Sequence, residues 1–195
     1  MAFQYQPDTS VAEWVVRSGT PDIQLILFGP AVYDGYARLR FIPDPDEPGQ
    51  READVRLPYD HPAEIEQTRR ALRTLSRFTS TPEDCYFCLW DGYSDVNLPP
   101  QAPGDGLFTL PYRRYAIVRG AVADLAEWEA TFGSGGPIAP PAFVWPADHS
   151  WCFASDVDPH WAGIGATPAA VDALVDDPEI DVVRAQPAET QPTYR

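Results

Sequence analysis

Residues 145–161 read Trp-Pro-Ala-Asp-His-Ser-Trp-Cys-Phe-Ala-Ser-Asp-Val-Asp-Pro-His-Trp, and no other stretch of the 195-residue chain restricts its fold so tightly. Tryptophan needs burial, whereas aspartate is costly to bury without a partner. Interleaving the two in a strand-like segment with proline near both ends requires a sheet with one wet face or a built polar site. The segment bounds the fold but names no reaction.

The rest of the chain is read around that segment. Its 22 prolines imply short elements joined by rigid turns. At 195 residues, with 44% hydrophobic and 12% aromatic residues, one well-filled domain is expected. Ser10 and Glu13 have capping-box spacing and open a short helix carrying Trp14 and Val15, which stops at Gly19. The apolar run 22–28 reads as a buried strand ended by Gly29-Pro30. Residues 36–42 alternate as a half-exposed strand, with Tyr36, Arg38, Arg40 and Ile42 on one face and Ala37, Leu39 and Phe41 on the other.

Residues 43–59 lack periodicity and read as a loop rich in proline and acid. Pro62 suits the start of the longest helix, 63–78. Ile65, Leu72, Leu75 and Phe78 form its apolar stripe, and Arg69, Arg70, Arg73 and Arg77 its solvated face. A strand over 85–91, a Gly/Pro loop to Pro111, a strand over 114–119 and a helical segment within 122–132 follow. Three short strands, 143–145, 151–156 and 161–165, form a meander. Thr167-Pro168 caps a helix to about 175, and 180–183 is a closing strand. Strands and helices that do not strictly alternate give an α+β fold. The predicted architecture is a single α+β domain over 1–185, mainly an antiparallel sheet of short strands with two to four helices. Residues 186–195 are expected as a disordered tail.

Charge narrows the chemistry. Against 29 acids stand 14 basic residues, all arginine, for a net charge of −15. The absence of lysine removes Schiff-base chemistry, lysine general bases and the lysine of a phosphate-binding P-loop. Between Gly120 and Val183 there are eleven acids and no arginine, whereas eleven of the arginines fall between Arg38 and Arg119. An anionic surface on the C-terminal third is therefore expected. Such a field repels phosphate backbones and anionic lipid, so nucleic acid and membrane are excluded as partners and a basic protein is favoured.

Three cysteines argue against a disulfide framework and for a reducing compartment. Cys85 and Cys88 have CxxC spacing, but Tyr86 and Phe87 lie between them inside a predicted strand, where positions three apart face opposite sides. They read as buried thiols. No run approaches the ~20 apolar residues of a membrane span, and the opening residues lack a signal peptide's basic start and apolar core. A cytoplasmic protein is expected.

Several pieces of the chain resemble a group of uncharacterised actinobacterial proteins. They are Thr81-Pro82-Glu83-Asp84-Cys85-Tyr86-Phe87-Cys88-Leu89-Trp90-Asp91-Gly92, Leu110-Pro111-Tyr112-Arg113-Arg114-Tyr115, and Trp145-Pro146-Ala147-Asp148-His149-Ser150-Trp151-Cys152 with Asp156 and Asp158. Tyr36-Ala37-Arg38-Leu39 is also similar to that group's early strand. The group often carries an apolar stretch and a glycine pair where this chain has Pro159-His160-Trp161-Ala162-Gly163. The resemblance touches about half the chain and implies a fold and a lineage, not a mechanism.

The candidate ligand- or partner-binding residues are Trp145, Asp148, His149, Trp151, Asp156, Asp158, His160 and Trp161. Asp156, Asp158 and His160 sit two apart, which on an extended strand would place oxygen and imidazole ligands on one face for a divalent metal. Pro159 opposes that, since Asp-Val-Asp-Pro is also an ordinary strand-to-turn exit. Asp148 and His149 offer general acid/base groups, with Asp84 or Asp91 across the sheet. As neighbours they point apart, and an Asx turn is the plainer role of Asp148. Arg113 and Arg114 are placed to clamp a carboxylate such as Asp91 or Asp95. Ser150 and Ser155 lack a nucleophile elbow.

No catalytic set and no cofactor motif emerges. The favoured reading is a non-enzymatic acidic protein-binding module of the immunity or regulatory type. The alternative is an enzyme or a small-ligand or metal-binding protein using the 145–161 block. A homodimer joined through exposed aromatics is the third expectation.

Overall fold

The computed structural model describes residues 2–102 and 106–195. Met1 and residues 103–105 of the expected Gly/Pro loop lie outside that description. Nine strands are present among the described residues: β1 (Gln4–Tyr5), β2 (Gly35–Arg40), β3 (Cys85–Trp90), β4 (Phe108–Leu110), β5 (Arg113–Gly120), β6 (Phe143–Pro146), β7 (Cys152–Ala154), β8 (Trp161–Ala166) and β9 (Val182–Arg184). Five α-helices join them: α1 (Glu13–Val16), α2 (Asp22–Phe28), α3 (Glu64–Leu75), α4 (Trp128–Phe132) and α5 (Pro168–Val175). The strands make one antiparallel sheet in the order β1-β5-β3-β6-β7-β8-β2-β9, with β4 also on β5. The chain is thus an α+β domain, mainly sheet, as its element pattern predicts.

Period-two alternation builds a separate core on each face. Along β3, Cys85, Phe87 and Leu89 enter one core, while Tyr86, Cys88 and Trp90 face the other. The first core is roofed by Ile65, Leu72 and Leu75 of α3, Trp128 of α4 and Leu174 of α5. The second is closed by Ala12, Val15, Leu25 and Ile26 from the α1–α2 region. Cys85 and Cys88 therefore lie on opposite faces, and all three cysteines are free and buried. Burial pushes the Cys85 thiol up to about 12, with nearby Asp84 and Asp148 adding to the shift.

Four local expectations need correction. Residues 22–28 are a helix, not a strand, with Leu25 N–H donating to Pro21 O and Gly29 N–H to Leu25 O. This supplies a fifth α-helix where two to four were expected. Ser10 is not the capping residue: Asp8 accepts from Ser10 N–H and opens a 3-10 turn that leads into α1. The face of β2 carrying Arg38 is covered rather than wet, and Arg38 is buried. Finally, β1 and β4 lie where no strand was expected, β4 within the supposed loop.

The covered face of β2 follows from glycine. Gly163 of β8 lies opposite Arg38, and a Cβ there would overlap Leu27 O and come within 2.8 Å of Phe28 Cα. Only a bare backbone lets α2 approach β8 so closely. Residues 186–195, expected as a disordered tail, carry no helix or strand and run back along the loop that follows β2.

Candidate functional site

The expected site residues do not converge. Trp145 enters the core under α1 and α2, whereas Trp151 enters the opposite core. Asp148 forms the expected Asx turn, accepting from Ser150 N–H at 3.1 Å, and also accepts from Thr79 Oγ1, Ser80 N–H and Ser80 Oγ at 2.8 Å each. Partial burial alone would raise its carboxyl, but the hydrogen bonds from Ser150 and Ser80 outweigh that and hold it well below the usual carboxylate range. It ties the β6–β7 turn to the residues after α3.

His149 points the other way. Its ring stacks on Trp14 with centroids 4.2 Å apart, its φ is 54°, and Tyr33 Oη donates to its carbonyl. Burial lowers its proton affinity, against an opposing pull from Asp148. The two residues form no dyad. Nor do Asp84 and Asp91 assist them, because these pair with Arg119 and Arg114.

Asp156, Asp158 and His160 do not share a strand face, because β7 stops at Ala154 and β8 begins at Trp161. Asp156 takes both branches of the Arg113 guanidinium at 2.9 and 3.0 Å, and that guanidinium stacks 4.7 Å from the Trp90 ring centroid. The Asp158 side chain is 87% exposed and reaches Arg113 only at 3.9 Å. His160 turns toward β2. Among the described residues no three His, Cys, Asp or Glu side chains are grouped to hold a metal ion.

A charged centre forms instead around His160, with partners the spacing of residues did not reveal. Antiparallel pairing of β2 with β8 sets Arg40 opposite Trp161 and Arg38 opposite Gly163, so His160 arrives beside the residues leaving β2. Arg38 donates to both oxygens of Asp44 at 2.7 and 3.0 Å, and its guanidinium lies 5.4 Å from the Trp161 ring centroid. Arg40 bridges Asp44 at 3.2 Å and Asp181 at 2.6 Å. His160 Nε2 is 3.1 Å from Asp44 Oδ1. The side chains of Arg38 and His160 are only 6% and 2% exposed.

The buried guanidinium of Arg38 needs a counter-ion, and Asp44 is that ion. Partial burial would raise its carboxyl, but hydrogen bonds from Arg38 and His160 prevail and set it at about 2. Burial lowers the proton affinity of His160, and the Asp44 contact opposes this without overcoming it. The imidazole is accordingly neutral at pH 7.

Residues 192–195 lie directly over this centre. The indole N–H of Trp161 donates to Pro192 O at 3.4 Å. Tyr194 meets the His160 ring edge-on, centroids 4.7 Å apart, and its hydroxyl donates to Pro43 O at 2.6 Å. Arg195 N–H donates to Gln50 O at 3.0 Å. Beside Arg195 opens a hollow of about 610 Å³ bordered by Asp46, Glu47, Gln50, Arg51 and Asp54.

The anionic surface is less continuous than the sequence suggests. Of the eleven acids between Gly120 and Val183, Glu129, Asp156, Asp158, Asp172 and Asp181 lie within ion-pair distance of an arginine. Exposed carboxylates without an ion pair among the described residues remain at Glu127, Asp176 and Glu179, and along the loop at Asp46, Glu47, Glu52 and Asp60. Among the described residues no helix is long and apolar enough to cross a membrane. No protein-family model matches the chain, and the comparisons with curated proteins and with solved structures give no match.

Proposed function

We propose that the chain is a non-enzymatic, acidic protein-binding module, of the immunity or regulatory type, that engages a basic partner. One observation carries this reading. After the ion pairs are formed, exposed carboxylates without arginine partners still border an open hollow, at Asp46 and Glu47, and continue along the same loop at Glu52 and Asp60. A surface of this kind steers cationic partners and repels anionic ones. The polar groups of the 145–161 block serve the fold: Asp148 ties a turn, Asp156 neutralises Arg113, and His160 completes the Asp44 centre.

The reading is tested by affinity capture on the immobilised chain, with the bound proteins identified. A basic protein is expected to bind at about 50 mM salt and to be released at about 500 mM, where screening shortens the reach of charge. Retention indifferent to salt, or no retained protein, overturns the proposal.

A further inference from the structure

The 192–195 segment is held as a ligand is held. Main-chain groups at its two ends are engaged: Pro192 accepts from an indole N–H, and Arg195 donates its amide to a loop carbonyl. Between them the half-buried Tyr194 sits in a shallow socket formed by the His160 ring and Pro43 O. The walls of that socket are fixed independently of the segment. Trp161 belongs to β8, which is buried throughout, and Pro43 precedes Asp44, pinned by Arg38, Arg40 and His160. None of residues 185–195 is fully buried, whereas His160 and Trp161, the inner wall of the seat, are.

We propose that the 43–50 loop, His160 and Trp161 form a peptide-binding groove, occupied in cis by residues 192–195, whose partner ligand is a basic segment with proline two positions before an aromatic residue and arginine after it. The proposal rests on the acidic-module reading and deepens it by naming the surface and the ligand. Main-chain hydrogen bonds supply sequence-tolerant affinity, while the aromatic socket and the anionic hollow select the side chains. The hollow beside Arg195 has room to spare, and Asp46 and Glu47 on its rim, which no arginine among the described residues neutralises, favour additional positive charge in a partner segment. Because the cis segment is tethered, it competes at high effective concentration and restrains the groove until a stronger ligand displaces it.

The probe is a fluorescein-labelled synthetic peptide with the sequence of residues 186–195. Its binding to the full-length chain is compared with binding to full-length chain carrying Tyr194→Ala and Arg195→Ala, by fluorescence anisotropy. The weakened tail is expected to raise probe affinity about tenfold or more, since the tethered competitor is lost. A probe carrying Tyr194→Ala is expected to bind neither chain. Thermal melts followed by far-UV circular dichroism establish that the substituted chain is folded. In the unsubstituted chain the Trp161 indole proton is expected to exchange slowly, and faster in the variant.

Equal affinity of the probe for the two folded chains, or no binding to the variant, overturns the groove. Concentration-dependent dimerisation of the unsubstituted chain that the tail variant loses would give the seat to a second copy and overturn the partner assignment. Salt-sensitive capture of a basic protein alongside failed probe binding removes only the groove. Probe binding alongside failed capture removes only the broader reading.

Discussion

Two guanidiniums and the neutral His160 imidazole converge on Asp44, and without its carboxylate Arg38 would lie buried against Trp161 with nothing to neutralise it. Leaving one member of a buried ion pair unpartnered costs about 3 kcal/mol or more. Urea unfolding of Asp44→Asn is expected to show a loss of that size, whereas Asp158→Asn, on an 87% exposed side chain, leaves the midpoint in place. Equal effects would mean that Asp44 is not the counter-ion of a buried cluster. The alternation of β2 was legible from sequence, yet the pairing of Arg38 was not. Asp44 is only six residues away, but nothing in 43–59 marks it as different from the other acids there. His160 is 116 residues from Asp44 and reaches it through strand pairing alone.

At the level of elements, α2 shows why short apolar runs mislead. Seven residues from Asp22 to Phe28 are as consistent with a buried strand as with two turns of helix. The deciding signals lay at the boundaries: Pro21 and Asp22 at the start and Gly29, with φ of 76°, at the end. The burial pattern then follows, with Leu25, Ile26 and Phe28 inward and Ile23 outward. The spaced glycines of β8 were a second missed signal, since Gly163 marks where the helix backbone approaches the sheet. Gly163→Ala is expected to destabilise the fold by about 1–3 kcal/mol, because overpacking must displace α2. Gly136→Ala, where a Cβ meets nothing within 4 Å, is the control in the same thermal melts and is expected to be tolerated. Longer signals were read correctly: the stripe of α3, the Thr167 cap of α5 and the β6–β7–β8 meander all form as their spacing predicts.

For the molecule as a whole, burial and charge fix how stability responds to pH. His149 and His160 are held below their ordinary value of 6.5, so the unfolded chain takes up protons first and stability declines as pH falls through 6.5. Asp44 and Asp148 are held below 3.8, Asp44 at about 2, so a second loss follows as pH falls below 3.8. The raised thiol of Cys85 acts in the opposite direction: its contribution is complete below 9.0 and is lost as pH rises toward 12. Melting temperature is therefore expected to peak between about pH 7 and 9, and Asp44→Asn is expected to lessen the loss below 3.8. A profile that rises on acidification would contradict this. The block of 145–161 was legible as the stretch that bounds the fold, but its candidate binding residues were not legible as separate contacts, because each polar side chain finds its partner on a different element. The margins of the sheet are also informative. Its outermost strands, β1, β4 and β9, are two to three residues long, so little unpaired backbone is offered to another molecule. A nine-stranded sheet finished in this way is a poor template for filament growth, and the protein can be concentrated without its strands recruiting those of its neighbours.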